Sequence, residues 1–350
     1  MQTRPLGRSG LSVSALSLGT MTFGNQNTEA EGHAQLDLAF EAGINFFDTA
    51  EMYTFPADPA TQGRSEEILG SWIKARGNRD RVVVATKITG PGARFGHIRG
   101  GDLRFTADQI TDAVELSLQR MGLDTIDLYY THFPERAANY FGLLDYAETA
   151  DNAEGRDWTP LAETLAGLKV VVDAGKVRAV GVSNETPWGL ARSLALADAE
   201  GLPRVACIQN PYSLLNRIFD VGLAEMAMRE DCGLCAYSPL GFGALSGKYL
   251  AGAAPEGSRM ALYPNFKRNF TARAVAATGA YVDLARAHGL APAAMAVAFA
   301  MSRPWMTSVI MGATTQEQLA ENLSAAELTL SDEVLAGIDT IHADNPNPAP

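Results

Sequence analysis

Residues 43–53, GINFFDTAEMY, combine an apolar strand with two polar side chains at its end. The first half is a short apolar run that contains Phe46 and Phe47, which is typical of a strand buried on both faces. Asp48 follows this run directly, and Tyr53 lies five residues further along the chain. A strand that ends in a carboxylate and is followed by a phenol indicates where a functional site could form.

Apolar runs of this kind alternate with amphipathic helical patterns along the chain. The predicted strands cover residues 15–18, 45–48, 82–87, 126–131, 179–183, 206–209, 234–237 and 308–311. The predicted helices cover residues 29–42, 63–76, 107–121, 160–174, 187–200, 219–230, 293–303 and 315–323. Strict alternation favours a parallel sheet of the α/β class. Eight units favour a closed (β/α)8 TIM barrel, formed as one domain by residues 1–350.

A doubly wound open sheet is the alternative fold for alternating strands and helices. That fold normally has a glycine-rich G-x-G-x-x-G turn after its first strand, and residues 18–25, LGTMTFGN, match this pattern poorly. The closed barrel is therefore favoured. Residues 3–14 are expected to form a hairpin at the end opposite the site, and residues 341–350 a flexible tail or one laid on the surface.

Three predicted connections are long, and all of them follow the carboxyl ends of strands. They cover residues 89–104, 133–159 and 238–270. Barrel enzymes build their sites at this end of the strands, so these loops are expected to surround the site. In the second loop, Phe133, Tyr140 and Phe141 are expected to line an apolar pocket. The acidic run at residues 145–157 is expected to be solvated or to form a pocket wall.

The composition disfavours several classes of partner. The chain has 350 residues and a formal net charge of −12, which repels nucleic acid and anionic membranes. Apolar runs stay below the roughly 18 residues of a membrane span, and the first residues do not resemble a signal peptide. Three cysteines do not make a disulfide framework, so a cytoplasmic protein is expected. Cys232 and Cys235 have the spacing of a redox pair, but a structural role is favoured because no further ligands complete a site.

Ionisable side chains fall at the ends of three successive predicted strands. Asp48 ends the second strand, Lys87 ends the third and His132 follows the fourth. A closed barrel brings these ends together around one mouth, with Tyr53 on the loop above Asp48. Taken singly, each residue has an ordinary structural explanation, as a cap, a packing residue, a surface charge or a buried histidine. Together they can polarise and protonate a carbonyl group while a nucleophile attacks its carbon.

The chemistry expected of these four residues is proton transfer. A free tyrosine has a pKa of about 10 and is a poor proton donor at neutral pH. We expect the Lys87 cation to lower the pKa of Tyr53, and Asp48 to keep Lys87 charged and oriented. His132 can donate a hydrogen bond to a substrate carbonyl oxygen. The set then lacks only a hydride donor.

The chain resembles the aldo-keto reductase family in segments that cover nearly its whole length. The segments are GINFFDTAEMY, ATK, DLYYTH, GKVRAVGVSN, IQNPYSLLNR, AYSPLGFGALSGKY and VIMGATTQEQLAEN. With GTMTFG and GVSNET, the chain is most similar to the bacterial Tas-type branch of that family. The resemblance implies a (β/α)8 barrel that binds NADP(H) and reduces aldehydes or ketones. It implies Tyr53 as the general acid, tuned by Lys87 and Asp48, and His132 as the residue that orients the substrate.

Polar side chains at the later strand ends are candidates for binding a nicotinamide. Ser183, Asn184 and Gln209 can hydrogen-bond a carboxamide. Tyr237 can stack on a nicotinamide ring, although core packing is its ordinary explanation. The glycine-rich stretch after Tyr237 offers backbone N–H groups and a lysine to a pyrophosphate. Its candidate residues are Ser238, Pro239, Leu240, Gly241 and Lys248.

The junction after the eighth strand is a second candidate for phosphate binding. Thr314 and Glu317 predict a capping box, and a helix N-terminus attracts an anion. The resemblance implies that Arg259 meets a 2′-phosphate, which favours NADP over NAD. The contacts implied for the adenosine half are Gly312, Thr314, Gln318, Glu321 and Asn322. The candidates near the nicotinamide are Thr20 and Met21, and a further cofactor candidate is Gln26.

The sequence therefore predicts an NADP(H)-dependent carbonyl reductase that acts on a small-molecule aldehyde or ketone. One alternative is a cofactor-sensing protein that binds a partner, because the chain also resembles the cytoplasmic β subunits of potassium channels. Another is a barrel aldolase in which Lys87 forms a Schiff base. The sequence does not indicate which carbonyl compound is the substrate, or whether the protein is a monomer or a homo-oligomer.

Overall fold

Eight parallel strands close into a barrel, and helices surround it. The computed structural model describes residues 1–143, 145–146, 158–264 and 267–349. Its barrel strands are β3 (Leu16–Gly19), β4 (Phe46–Asp48), β5 (Val83–Ile88), β6 (Ile126–Thr131), β7 (Val177–Ser183), β8 (Val205–Gln209), β9 (Leu234–Tyr237) and β10 (Met306–Met311). The ring runs in the order β10-β3-β4-β5-β6-β7-β8-β9, and β10 also pairs with β9. The predicted (β/α)8 barrel is therefore confirmed, and the open doubly wound sheet is excluded.

The helices follow the predicted alternation, with three additions. They are α1 (Glu29–Glu41), α2 (Arg64–Arg76), α3 (Ala107–Met121), α4 (Leu161–Asp173), α5 (Pro187–Glu200), α6 (Leu223–Arg229), α7 (Arg259–Leu262), α8 (Ala272–Ala287), α9 (Pro292–Met301), α10 (Gln316–Ser324) and α11 (Asp332–Asp344). Helices α7, α8 and α11 were not predicted from the sequence. Helix α8 is rich in alanine and carries no strong apolar stripe, so its helical period is weak.

Hydroxyl side chains fix where several helices begin. Thr28, Thr106, Thr186, Thr271 and Ser331 each accept a hydrogen bond from a backbone N–H in the first helical turn. Such a cap satisfies a donor that the helix itself leaves unpaired, and it stabilises by about 1 kcal/mol. These contacts set the helix starts and therefore the lengths of the loops that reach the barrel mouth.

Two apolar regions pack on either side of the strands. The larger lies between strands and helices, where Phe47 and Trp72 pack with ring centroids 5.1 Å apart. The smaller fills the barrel interior and includes Phe46 and Ile310. The hairpin of β1 (Thr3–Pro5) and β2 (Ser12–Ser14) contributes Leu6 and Val13 to this interior. It closes the amino-terminal end as predicted, which leaves the carboxyl ends of the strands as the open face.

The end of the chain packs against the barrel surface. His342 belongs to the last turn of α11, and Ala349 is 2% exposed. The backbone N–H of Ala349 donates to the Leu215 carbonyl, and that of Arg217 donates to the Asn347 side chain. Most of the acidic run expected at residues 145–157 lies outside the described residues.

Within the described residues, no single helix is long and apolar enough to cross a membrane. Helices α8 and α9 would pass such a test together, by length and composition only, and they meet at 97°.

Two glycine-to-alanine replacements should have opposite effects on stability. Gly70 of α2 faces α3 so closely that an added Cβ would lie 2.1 Å from the Met121 carbonyl oxygen. Gly70→Ala should therefore destabilise the protein by about 1–3 kcal/mol through forced separation of the helices. Gly279 of α8 has no atom within 4 Å of the same position. Gly279→Ala should stabilise by up to about 1 kcal/mol. Denaturant midpoints of both variants and the wild type test this, and a stable Gly70→Ala would contradict it.

Candidate active site

Three neighbouring strands deliver the four predicted catalytic residues to the open end of the barrel. Asp48 is the last residue of β4, Lys87 lies near the end of β5, and His132 follows β6. Asp48, Tyr53 and His132 line one large cavity, whereas Lys87 is buried behind its wall. The structure therefore brings together the four side chains that were predicted to meet from their positions at or near strand ends.

A buried ion pair forms the floor of this site. Lys87 Nζ donates to Asp48 Oδ1 at 2.5 Å and to the Thr49 carbonyl at 2.6 Å. Gln209, on the far side of the barrel, donates to Asp48 Oδ2 at 2.8 Å. Burial raises the pKa of Asp48 and lowers the pKa of Lys87, and the charge of each residue opposes the shift of the other. The hydrogen bonds satisfy both charges, as a stable buried pair requires.

Tyr53 lies over this pair, but the expected effect on its acidity is not found. Lys87 Nζ is 4.9 Å from the centroid of the Tyr53 ring. Burial, and then the negative charge of Asp48, raise the pKa of Tyr53 well above its ordinary value, although Arg259 opposes the shift. The prediction that Lys87 lowers this pKa is therefore wrong for the structure as it stands. The main physical reason is the burial of the phenol. In addition, Asp48, which accepts a hydrogen bond from the Lys87 ammonium, offsets the field of this cation at the ring.

His132 packs beside Tyr53 as a neutral imidazole. Their ring centroids are 5.7 Å apart in an edge-to-face arrangement. Burial, and then the positive charges of Lys87 and Arg94, hold the pKa of His132 well below its ordinary value. A neutral imidazole keeps one N–H and can donate it to a carbonyl oxygen. The Asn184 side chain donates to the His132 backbone carbonyl at 2.9 Å and fixes its position.

A network that the sequence analysis missed holds the segment between Asp48 and Tyr53. Glu51 is 1% exposed, and its carboxylate accepts from the Thr89 N–H at 2.6 Å and from Arg99 at 3.1 Å. Glu51 lies in the same segment as Asp48, but its position in the sequence does not distinguish it from an ordinary surface glutamate. The pair fixes the Tyr53 loop to the end of β5.

The cavity above the four residues has a volume of about 730 Å³ and takes in most of the predicted cofactor residues. The predicted residues that line it are Met21, Gln26, Ser183, Asn184, Gln209, Tyr237, Ser238, Pro239, Leu240, Lys248, Arg259, Gly312, Thr314, Gln318, Glu321 and Asn322. Thr20 and Gly241 are not among the lining residues. Thr20 is fully buried and donates to the Asp48 carbonyl at 3.1 Å, so it supports the floor of the site.

The polar strand ends form one connected group on the cavity wall. Tyr237 donates its hydroxyl to Asn184 Oδ1 at 2.6 Å, and Asn184 Nδ2 donates to Ser183 Oγ at 3.1 Å. Asn184 and Ser238 have left-handed backbone angles, with φ of 54° and 55°. Such angles are uncommon for residues other than glycine and concentrate at functional sites.

One side of the cavity is strongly basic although the chain is acidic. We call Lys248, Arg259, Lys267 and Arg268 the cationic wall; all four line the cavity and follow β9. The Arg259 and Arg268 guanidinium groups lie 4.7 and 5.5 Å from the centroid of the Phe242 ring. Cations gathered over an aromatic ring suit a ligand with several phosphates. Lys267 and Arg268 were not predicted, because they lie in an irregular loop without periodicity.

The helix start after β10 differs from its prediction by one residue. Thr315, not Thr314, caps α10, and its hydroxyl accepts from the Gln318 N–H. The Thr314 N–H and hydroxyl instead donate to the Gln318 side chain. The cap falls one residue later because Thr314 still belongs to the turn that leaves the strand. The N-terminus of α10 nevertheless opens on the cavity, as expected.

The opposite side of the cavity is aromatic. We call Phe95, Phe133, Tyr140 and Phe141 the aromatic wall. Phe133 lies 5.9 Å from Phe95, 5.6 Å from Tyr140 and 5.7 Å from Phe141, measured between ring centroids. The expectation that Phe133 and Phe141 line the pocket is confirmed, and Tyr140 lines a smaller adjoining cavity. Phe95 was missed.

The cysteines are structural in character. All three are buried and free of disulfide bonds, and burial raises the pKa of Cys232 to about 12. Cys235 points into the barrel interior with Cys207, whose Sγ is 3.3 Å from the Tyr130 hydroxyl. In the part of the chain that the structure describes, no three metal-binding side chains cluster. The redox spacing therefore reflects packing.

A (β/α)8 barrel with these four side chains and this cavity at the carboxyl ends of its strands is typical of one class of oxidoreductase. A sequence model of the Aldo/keto reductase family matches residues 15–343, and the chain belongs to that family. Members of the family generally use NADH or NADPH. The resemblance inferred from the sequence is thereby confirmed.

Individual relatives align over most or all of the chain. It is 47% identical over 350 residues to Protein tas of Escherichia coli strain K12, with 100% of both chains covered. It is 33% identical over 357 residues to L-glyceraldehyde 3-phosphate reductase of Escherichia coli O157:H7, covering 98% of this chain and 93% of that protein. It is 31% identical over 336 residues to a probable voltage-gated potassium channel subunit beta of Arabidopsis thaliana, covering 94% and 92%.

The neutral state of His132 predicts a specific pH dependence of stability. The folded protein holds this pKa below its unfolded value, so stability is present above about pH 6.5 and is lost as the pH falls. Relative to His132→Gln, the wild type should lose about 1 kcal/mol of unfolding free energy for each pH unit below about 6.5. Urea unfolding from pH 8 to pH 5 measures the difference, and parallel curves for the two proteins would contradict it.

Proposed function

We propose that the protein is an NADPH-dependent reductase of small-molecule aldehydes or ketones, with Tyr53 as the proton donor. The observation that carries this proposal is the position of Tyr53 and His132 over the buried Asp48–Lys87 pair, on the floor of a cavity large enough for cofactor and substrate. We place its activity in the cytoplasm. Its net charge of −12 supports neither nucleic acid nor an anionic membrane as a partner.

The cavity residues fit a nicotinamide dinucleotide. The connected group of Ser183, Asn184 and Tyr237 offers polar atoms and a ring near the floor, and Gln209 lines the same cavity. The cationic wall and the N-terminus of α10 would hold the phosphate end. When bound, NADPH supplies the hydride that the carbonyl carbon receives.

The chain's own residues supply the proton. Burial keeps Tyr53 protonated before the reaction, so a proton is available at its hydroxyl. His132, as a neutral imidazole, donates a hydrogen bond to the carbonyl oxygen and orients it. Tyr53 then gives its proton to this oxygen as negative charge develops there. The Lys87 cation, 4.9 Å from the ring centroid, limits the repulsion between the Asp48 carboxylate and the phenolate that Tyr53 becomes.

Neither alternative function is favoured. An aldolase would need Lys87 to reach a substrate carbonyl, but its side chain is 0% exposed and hydrogen-bonded to Asp48 and Thr49. A cofactor-sensing protein would keep the cavity without needing a catalytic floor. Because such a protein could also carry the four residues, measured turnover decides between the two functions.

Replacing Tyr53 by phenylalanine should abolish most turnover and leave cofactor binding intact. Tyr53→Phe removes the transferable proton and should lower kcat by roughly 10²–10⁴-fold, with the Kd for NADPH unchanged. NADPH oxidation at 340 nm with aromatic and aliphatic aldehydes measures kcat, and fluorescence titration measures the Kd for NADPH. Tyr281→Phe, a buried tyrosine of α8 away from the cavity, is the matched control. Full turnover in Tyr53→Phe would remove it from the mechanism. NADPH binding without wild-type turnover would favour the sensing function.

The cationic wall should distinguish NADPH from NADH. Arg259→Gln should raise the Kd for NADPH about 10-fold or more, because it removes a charged hydrogen-bond donor. The Kd for NADH, which has no 2′-phosphate, should change little. Arg8→Gln is the control, since Arg8 lies at the opposite end of the barrel and pairs with Asp231. Equal weakening of both cofactors would contradict a 2′-phosphate contact.

A further inference from the structure

Arg94 differs from three other arginines in the loops that follow β5 and β6. It lies in the 3-10 turn Ala93–Phe95 after β5 and lines the cavity. Three arginines in the same loops, Arg99, Arg104 and Arg136, pair with buried glutamates. Arg94 forms no ion pair with any of the described residues. Within the part of the chain that the structure describes, its exposed guanidinium faces the cavity without a carboxylate partner.

Arg94 is exposed, but buried aromatic rings lie beside it. Its guanidinium lies 5.0 Å from the centroid of the Phe95 ring, and both Phe95 and Phe133 are 2% exposed. Arg94, Phe95, Phe133 and Phe141 also line a second cavity of about 360 Å³. The rings therefore offer an apolar surface to the body of a ligand whose charged group reaches the guanidinium at the cavity wall.

Arg94 lies on the opposite side of the mouth from the cationic wall. The cationic wall follows β9, whereas Arg94 follows β5, and these strands are four places apart in the eight-stranded ring. A cofactor whose phosphates lie on the cationic wall would leave Arg94 to the substrate. The charge of Arg94 nevertheless reaches the floor of the site, because it contributes to the lowered pKa of His132.

We propose that Arg94 and the aromatic wall form a subsite for an anionic group of the substrate. The substrates are then aldehydes or ketones that carry a carboxylate or a phosphate beyond an apolar or aromatic body. The carbonyl group lies at Tyr53 and His132, and the anion lies at Arg94, whose planar guanidinium can bind either group with two hydrogen bonds. This inference rests on the proposed carbonyl reductase function and adds the substrate class to it.

Four aldehydes with the same ring test the subsite. They are benzaldehyde, methyl 4-formylbenzoate, 4-carboxybenzaldehyde and 4-formylphenyl phosphate, compared by kcat/KM with NADPH. Arg94→Gln should lower kcat/KM for the two charged aldehydes by about 10- to 100-fold, and for the two neutral ones by less than about 3-fold. Arg94→Lys should recover part of the lost kcat/KM, because lysine restores the positive charge but cannot donate two parallel hydrogen bonds as a guanidinium does. Whichever charged aldehyde loses more kcat/KM in Arg94→Gln carries the preferred anion, carboxylate or phosphate.

The chain provides a closely matched control. Arg81 is exposed, lies 4.5 Å from the centroid of the Phe40 ring, and precedes β5 at the opposite end of the barrel. Arg81→Gln removes the same charge and the same kind of ring contact, and should leave all four kcat/KM values unchanged. An equal loss on charged and neutral aldehydes in Arg94→Gln, or no preference of the wild type for the charged ones, would overturn the subsite.

A binding measurement separates this inference from the proposed function. If the wild type reduces none of the aldehydes, the reductase proposal fails, and the subsite is tested by calorimetric titration with benzoate and phenyl phosphate. At least one of these anions should bind to the wild type and to Arg81→Gln, and at least 10-fold more weakly to Arg94→Gln. Equal affinity for the two variants, or no binding to the wild type, would overturn the anion subsite itself.

Discussion

The buried ion pair between Asp48 and Lys87 is the constraint on which the rest of the site depends. Two charges removed from water are costly unless each is paired and fully hydrogen-bonded. Here the partners are Thr49 on the same loop and Gln209, which reaches Asp48 from across the barrel. This arrangement requires a closed ring, because β4, β5 and β8 must present their carboxyl ends to one point. The barrel therefore makes the pair possible, and the pair gives Tyr53 and His132 a fixed floor.

Opposite sides of the mouth have different chemistry. The cationic wall after β9 concentrates positive charge in a protein of net charge −12, so a polyanionic ligand is drawn to that side and not to the surface in general. The aromatic wall gives the other side an apolar surface. A nicotinamide dinucleotide and an anionic carbonyl compound would then enter from different sides and meet over Tyr53. The division lets one acidic chain bind two negatively charged ligands without placing their charges together.

The sequence predicted the barrel and its strand-end residues, because buried parallel strands leave a strong apolar pattern and their ends fall at definite positions. Helix α8 was missed because its alanine-rich composition hides the helical period. The cap of α10 was misplaced by one residue, since two adjacent threonines offer the same hydroxyl. The predicted lowering of the Tyr53 pKa was wrong, because burial and the field of Asp48, which raise this pKa, arise only in the folded site. Arg94 and the Glu51–Arg99 pair lie in loops, where spacing does not show which side chains meet.

The most direct test of the account is transfer of a labelled hydride. The protein would be incubated with [4,4-²H₂]NADPH and a set of benzaldehydes, and the alcohols would be analysed by mass spectrometry. We expect one deuterium on the former carbonyl carbon of each alcohol that the wild type forms. Because the proton on the oxygen comes from Tyr53 and exchanges with water, no second label should be retained. Unlabelled alcohol, or no alcohol from a protein that binds the cofactor, would contradict the claim that this cavity reduces carbonyl groups.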